Sequence, residues 1–255
     1  MSSSSIKVFS DINELSHFAA QLFSTIAAQA IANRKRFIVS LAGGGTPITL
    51  YRLLASSPYS QSLSWEKILF FWGDERCVSL DDVENSYHQA YQALLGKVPI
   101  PEDNIFRVKA ELTPAAAAID YASQLQTLAE NGMRWPRFDL VVLGLGEDGH
   151  TASLFPGSDE TNGVASMAVT ANYQGRPASR VSLSSNVFNS ARTVMFLVTG
   201  AQKAVALAAT LAGVREPDNL PAQRIMPIDG NIIWLVDVAA ARLLPSVIDG
   251  LIIQR

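Results

Sequence analysis

One short loop of the sequence carries an acid and a histidine at a spacing suited to proton transfer. Residues 144–150 read GLGEDGH, so Asp148 stands two residues before His150. A neutral imidazole titrates near pH ~6.5 and is the natural base for activating water, while a neighbouring carboxylate can orient the ring and stabilise the imidazolium. We therefore predict His150 as a general base with Asp148 as its partner. The alternative is a histidine held structurally by loop carbonyls.

The same loop formally satisfies the dinucleotide pattern GxGxxG, but its acids argue against that use. Glu147 and Asp148 would lie where the pyrophosphate should bind. Glu160, the nearest later acid, does not end a second strand as a ribose-binding acid would. The loop therefore indicates acid–base chemistry rather than dinucleotide binding.

A run of three glycines is suited to holding an anion. Gly43, Gly44 and Gly45 let the backbone approach a ligand closely, and Thr46 can cap the helix that follows. Free N–H groups and the dipole at a helix N-terminus attract a phosphate. No Gly-Lys-Ser/Thr follows, so this is not a Walker A loop. The alternative is a tight strand-to-helix turn without a ligand.

A third charged cluster reads GDERC at residues 73–77. It places the carboxylates of Asp74 and Glu75 and the guanidinium of Arg76 directly after the apolar residues 70–72. A solvated charged turn is the alternative. We interpret Cys77 as an incidental small residue rather than as a thiol activated by its neighbour.

Other catalytic devices have little support in the sequence. One cysteine and three scattered histidines leave no pair at metal-ligand spacing. No GxSxG motif is present, and Ser153 lies at an expected helix start, so a serine nucleophile is also weakly supported. We expect no metal and no cofactor.

The three charged loops each follow an apolar run that we interpret as a buried strand. Runs that are apolar throughout and alternate with helical segments indicate an α/β fold, an open, mostly parallel sheet with helices on both faces. In such sheets, ligands bind beyond the carboxyl ends of the strands, where these loops lie. The predicted strands are 36–42, 68–72, 138–143, 193–198 and 232–236, and the predicted helices are 12–33, a segment through Leu50, Leu53 and Leu54, 87–95, 115–130, 201–211 and 238–243.

Composition limits the class of partner. The chain has 20 Lys and Arg against 23 Asp and Glu, a net charge of −3, and no basic cluster. We therefore expect no nucleic-acid or membrane partner. The apolar stretches end before the ~18 to 20 residues that a membrane-spanning helix needs. A single cysteine and a serine-rich start without a signal-peptide core predict a cytoplasmic protein. We expect one domain over residues 1–255, with residues 1–5 disordered and residues 156–180 loop-like.

Five blocks of sequence occur in an order and spacing typical of one enzyme family. They are LAGGGTP (41–47), FWGDERCV (71–78) with ENSYHQA (84–90), LGLGEDGHTASLFPG (143–157), VTGAQKA (198–204) and PAQRIMPIDGNIIWLVD (221–237). This pattern closely resembles the 6-phosphogluconolactonases over residues 37–242, and DGHTASLFP is its most specific part. The resemblance implies a Rossmann-like fold, as in sugar-phosphate isomerases and deaminases, and a monomer.

The resemblance also implies an activity, the hydrolysis of 6-phospho-D-glucono-1,5-lactone to 6-phospho-D-gluconate in the oxidative pentose phosphate pathway. The partner is then a small sugar-phosphate lactone, and no metal or cofactor is required. Carried over by position, the resemblance implies that the glycine loop lies in the substrate cleft, Arg76 contacts the substrate and His150 is the base. Arg180, in PASRVSL, and Lys203, in VTGAQKA, would hold the sugar phosphate, with a solvated surface charge as the alternative for both. We place Asp74 in the same cleft as a substrate-binding acid.

Two rival functions share this fold. Glucosamine-6-phosphate deaminases resemble DGHIAFNEP in the histidine loop, with an acid just before the proline that takes part in their ring chemistry. This chain has Phe155 at that position, and a phenylalanine cannot transfer protons. A non-catalytic sugar-phosphate sensor should carry a DNA-binding module, for which the chain has no basic segment.

Overall fold

The runs that are apolar throughout form the centre of a parallel sheet in the computed structural model, which describes residues 4–130, 132–160, 163–246, 248 and 252–254. The strands of these ranges are β1 Ser4–Phe9, β2 Phe37–Leu41, β3 Ile68–Trp72, β4 Asp74–Arg76, β5 Leu140–Leu143, β6 Ser166–Thr170, β7 Ser179–Leu183, β8 Thr193–Val198, β9 Asn231–Asp237 and β10 Ile252–Gln254. The helices are α1 Ile12–Arg34, α2 Gly45–Leu54, α3 Tyr59–Ser62, α4 Ser86–Ala93, α5 Pro114–Thr127, α6 Ser185–Asn189 and α7 Ala204–Ala212.

The main sheet has the strand order β10-β1-β9-β8-β5-β2-β3, and its neighbouring strands run parallel. Strands β2 and β5 are buried along their whole length because helices cover both faces. Successive side chains point to opposite faces. Phe71 packs in the cluster that includes α5, α6 and α7, whereas Phe70 and Trp72 pack in the cluster that includes α1, α2 and α4. The predicted α/β fold is confirmed.

A second, antiparallel sheet of β4, β7 and β6 lies at the carboxyl ends of the main strands. Gly73 alone separates β3 from β4, so the chain passes directly from one sheet into the other. The prediction that residues 156–180 are loop-like was wrong for β6 and for the start of β7. Strand β6 reads SMAVT and is only half-buried, and a five-residue strand of mixed polarity near glycines and a proline gives little local signal.

Three smaller predictions also need correction. Ser4 and Ser5, expected to be disordered, pair with β9 at the start of β1, while residues 1–3 lie outside the described residues. The predicted helix 238–243 is only a 3₁₀ turn at Ala240–Leu243. Ser153 lies in a turn rather than at a helix start.

Within the described ranges, none of the helices combines the length and apolar character that crossing a membrane requires.

Candidate active site

The loops after β2, β5 and β8 surround one cleft of about 360 Å³, closed on the other side by the small sheet and the turn between β6 and β7. Its position beyond the carboxyl ends of parallel strands is where the sequence predicts ligand binding. Nine of the predicted site residues line the cleft: Gly43, Gly44, Gly45, Thr46, Asp74, Arg76, His150, Arg180 and Lys203. The tenth, Asp148, is hydrogen-bonded to His150. Strand order therefore brings together residues that are up to 160 positions apart in the sequence, from 43 to 203.

His150 and Asp148 form a close pair. The imidazole Nδ1 lies 2.6 Å from Asp148 Oδ1, and the backbone N–H of His150 donates to the same oxygen at 3.1 Å. Burial alone would raise the pKa of Asp148, but the hydrogen bond and charge of His150 outweigh burial and hold that pKa below its usual value. Because Nδ1 faces the carboxylate, we assign the proton to Nδ1, which leaves Nε2 as the free acceptor.

The backbone around this pair is tightly folded, and two glycines are needed for it. Gly149 has a φ of +84°, and the N–H of Gly146 donates to the carbonyl of His150 at 2.7 Å. A Cβ placed on Gly146 would lie 2.0 Å from His150 Nδ1 and 2.6 Å from Asp148 Oδ1. Glycine at 146 therefore makes room for the imidazole–carboxylate contact itself.

The glycine loop presents an uncapped helix N-terminus to the cleft. Helix α2 begins at Gly45, and its N-cap, Gly44, has a φ of +102° and no side chain with which to cap the first turn. The predicted cap, Thr46, instead lies inside the helix, where its hydroxyl is 2.8 Å from that of Thr199. Gly44 is held by its N–H, which donates to Gln89 Oε1 at 3.0 Å. The free N–H groups of α2 remain available to an anion.

The two acids of the GDER cluster have different surroundings. Asp74 lines the cleft and accepts a hydrogen bond from the buried Ser153 hydroxyl at 2.6 Å. Glu75 is buried away from it and accepts N–H groups at the start of α4, from Ser86 at 2.6 Å and Tyr87 at 2.7 Å. Burial raises the pKa of Glu75 to about 7, and these N–H donors oppose the shift. Glu75 therefore anchors α4, and Asp74 is the acid that faces the cleft.

Arg76 and Arg180 lie directly opposite each other on β4 and β7, and both are buried. Arg76 donates from Nη1 to the carbonyl of Glu84 at 2.9 Å, and Arg180 from Nε to the carbonyl of Pro177 at 3.0 Å. Within the described residues, Arg76 Nε and Arg180 Nη2 have no hydrogen-bond partner. Burial lowers the pKa of Arg180, and Asp74 partly offsets this effect. Unpaired buried cationic donors favour an anionic ligand.

Lys203 stands at the other wall of the cleft. Its Nζ is 4.0 Å from Glu147 Oε1 in the histidine loop. Burial lowers the pKa of Lys203, while Glu147 and Asp148 raise it. Lys203 therefore brings a third cationic group to the cleft, close to the His150–Asp148 pair.

Some cleft residues escaped the sequence analysis. Tyr173 and Arg176 reach the cleft from the turn between β6 and β7, and Arg176 Nη1 is 3.8 Å from Glu84 Oε2. Neither residue belongs to a recognisable motif, so nothing in the sequence marked them. The ring of Phe155 packs on His150 with centroids 4.4 Å apart.

Across the described part of the chain, no group of three or more His, Cys, Asp or Glu side chains could hold a metal ion.

Comparisons with known proteins find relatives over most of the chain. A sequence model of the family described as glucosamine-6-phosphate isomerases/6-phosphogluconolactonase matches residues 10–234. A 6-phosphogluconolactonase of Synechocystis sp. is 41% identical over 219 residues, which are 85% of this chain and 88% of the relative.

Solved structures with the same fold include enzymes of two activities. The structure of 6-phosphogluconolactonase from Trypanosoma brucei has a TM-score of 0.84 at 31% identity and covers 96% of this chain and 100% of the other. A monomeric glucosamine-6-phosphate deaminase has a TM-score of 0.77 at 23% identity, with 94% and 99% of the chains covered, and shares the fold.

Proposed function

Since the chain belongs to the glucosamine-6-phosphate isomerase/6-phosphogluconolactonase family and is a lactone hydrolase, we propose that it hydrolyses 6-phospho-D-glucono-1,5-lactone with His150 as the general base. The product is 6-phospho-D-gluconate, as in the oxidative pentose phosphate pathway. The observation that carries the assignment is the 2.6 Å contact between His150 and Asp148 in a cleft with four cationic side chains, those of Arg76, Arg176, Arg180 and Lys203.

The reaction needs one group that moves protons. Nε2 of His150 accepts a proton from water as the water oxygen bonds to C1 of the lactone. The bond from C1 to the ring oxygen then breaks, and the imidazolium returns the proton to that leaving oxygen. Asp148 accepts the Nδ1 hydrogen bond throughout and stabilises the positive ring. The unpaired N–H of Arg76, or backbone N–H groups near it, stabilise the oxyanion on C1.

The phosphate is bound away from the reacting carbon. Arg180 and Lys203 supply charge, and the uncapped N-terminus of α2 supplies N–H donors. Asp74 is held by Ser153 and accepts a hydrogen bond from a sugar hydroxyl. Binding energy from the phosphate fixes C1 near His150, so it contributes to catalysis as well as to affinity.

Every one of these groups belongs to a single chain, and we propose that the enzyme acts as a monomer. Light scattering after size-exclusion chromatography tests this proposal.

The direct test follows acid release from freshly generated 6-phosphogluconolactone, with and without the protein, after correction for spontaneous hydrolysis. The proposal expects faster release that persists in the presence of a chelator, since no step uses a metal. Ammonia release from glucosamine 6-phosphate without lactone hydrolysis would instead support a deaminase. Phe155 disfavours that outcome because it offers no acid beside His150.

Replacing Gly146 with Ala is expected to lower kcat for the lactone about 10²-fold, because displacement of a base by about 1 Å has an effect of this order. The added Cβ overlaps His150 Nδ1, so the imidazole must leave Asp148. Stopped-flow measurement of kcat and KM checks the result. Gly144→Ala is the control for folding only, because a Cβ there meets no protein atom within 4 Å but would lie in the cleft that Gly144 also lines. Equal kcat in Gly146→Ala and the wild type would show that the close His150–Asp148 contact is unnecessary.

A further inference from the structure

The turn between β6 and β7 carries a tyrosine that contacts the histidine loop. Gln174 and Gly175, its central residues, have φ values of +50° and +68°, as a type I′ hairpin turn requires. The N–H of Arg176 donates to the carbonyl of Tyr173 at 2.9 Å and closes the turn. This tight two-residue connection fixes the direction in which Tyr173 leaves the hairpin.

Tyr173 contacts the histidine loop at two points. Its ring meets the His150 imidazole edge-on, with centroids 4.6 Å apart and planes at 79°. Its hydroxyl oxygen accepts a hydrogen bond from the backbone N–H of Glu147 at 3.3 Å. One side chain from a separate sheet therefore holds both the ring of the base and the backbone three residues before it.

The imidazole is consequently fixed from three directions. Phe155 packs on it with planes at 31°, Tyr173 packs edge-on, and Asp148 accepts from Nδ1. Only 14% of the His150 side chain is exposed. Rotation of the ring about its Cβ–Cγ bond would break the bond to Asp148 and collide with an aromatic ring. The two rings cover the imidazole end of the carboxylate–imidazole bond, while 32% of the Asp148 side chain remains exposed.

We propose that Tyr173 is a positioning residue for His150. Its aromatic ring keeps the imidazole in the orientation that directs Nδ1 to Asp148 and Nε2 into the cleft, and it shields the Nδ1–Oδ1 hydrogen bond from water. The inference rests on the proposed function, because it takes His150 as the base. It adds a residue from the turn between β6 and β7 to a site in which the strands of the antiparallel sheet already supply Asp74, Arg76 and Arg180.

The test compares Tyr173→Leu with Tyr173→Phe. Tyr173→Leu removes the ring and is expected to lower kcat about 10- to 10²-fold, with less than about a threefold change in KM. Tyr173→Phe keeps the ring and loses only the 3.3 Å contact between the hydroxyl and the Glu147 N–H. Its kcat should therefore lie within about threefold of the wild-type value. Tyr91→Leu, which removes a half-exposed tyrosine outside the cleft, is the matched control and leaves both constants unchanged.

A second measurement does not depend on activity. Proton NMR detects the imidazole proton in the Nδ1–Oδ1 bond as a strongly deshielded signal while its exchange with water is slow. The signal is expected in the wild type and Tyr173→Phe, and exchange should remove it in Tyr173→Leu. Tyr173 lies in a partly exposed turn, so these variants leave the core intact.

Three kinetic outcomes overturn the proposal: unchanged kcat in Tyr173→Leu, a change in that variant confined to KM, or equal loss of kcat in the Leu and Phe variants. A retained NMR signal in Tyr173→Leu also overturns it. If the wild-type chain released no acid from the lactone, the proposed function would fail. The NMR comparison would then still decide whether Tyr173 holds the His150–Asp148 bond.

Discussion

Replacing His150 with Asn is expected to lower kcat for lactone hydrolysis about 10²- to 10⁴-fold, the usual loss when a general base is removed. Asn offers no group that accepts a proton near neutral pH, so water must attack without assistance. The rest of the cleft, including its cationic side chains, is unchanged, and KM should move far less than kcat. Steady-state kinetics over the neutral pH range, with subtraction of the spontaneous rate, give both constants.

The chain offers a matched control for this variant. His17 is an exposed histidine on α1, outside the cleft, and His17→Asn should behave as the wild type does. Thermal unfolding of all three proteins separates a catalytic loss from a folding defect. Wild-type turnover in His150→Asn would contradict the assignment of His150 as the base. The contact with Asp148 would then have only a structural role.

Replacing Arg180 with Met is expected to lower kcat/KM for the lactone roughly 10²- to 10³-fold. The estimate assumes two charge-assisted hydrogen bonds to the phosphate, which together contribute about 3 to 4 kcal/mol. The pH dependence of kcat should keep its shape, because the variant leaves His150 and Asp148 in place. Kinetics with the lactone and binding of 6-phosphogluconate by calorimetry measure the effect.

Arg180→Met also tests a separate prediction about the thermal stability of the protein. Arg180 is a buried cation with an unpartnered Nη2, and burial lowers its pKa, so its charge is unfavourable in the empty protein. Met fills a similar volume without that charge, and the Tm of Arg180→Met should equal or exceed that of the wild type. Arg52→Met, at an exposed position on α2, is the control for loss of an arginine. A large fall in Tm together with full activity would contradict both parts.

The sequence predicts the central sheet well because its signal is local. Strands β3 and β8 begin and end where the apolar runs at 68–72 and 193–198 begin and end, since strands buried on both faces are apolar at every position. The charged loops that follow β2, β3 and β5 then identify one edge of that sheet. The pairing of Asp148 with His150 was also accessible, because two residues of one tight loop cannot lie far apart.

The small sheet was not accessible to the same reasoning. In β7, which reads SRVSL, Arg180 and Ser182 are buried, so polarity does not mark which face is covered. Tyr173 contacts His150 only because the hairpin that carries it folds over the cleft, and no pattern at its own position reflects this contact. Asp74 and Glu75 have different surroundings because successive side chains of a strand point in opposite directions, and this separates their roles.

Arg76 and Arg180 face each other across β4 and β7, and this arrangement affects the stability of the empty fold. Like charges directly opposite each other in an antiparallel pair repel, and the carboxylates of Asp74 and Glu84 beside the two guanidinium groups oppose that repulsion in the empty fold. In the proposed complex, the phosphate on Arg180 and the C1 oxygen beside Arg76 would bring negative charge to both guanidinium groups and offset that repulsion. Folding and ligand binding are then thermodynamically linked, and the folded chain gains stability that rises with the logarithm of the substrate or product concentration above Kd. The working stability of this enzyme is accordingly that of its liganded form.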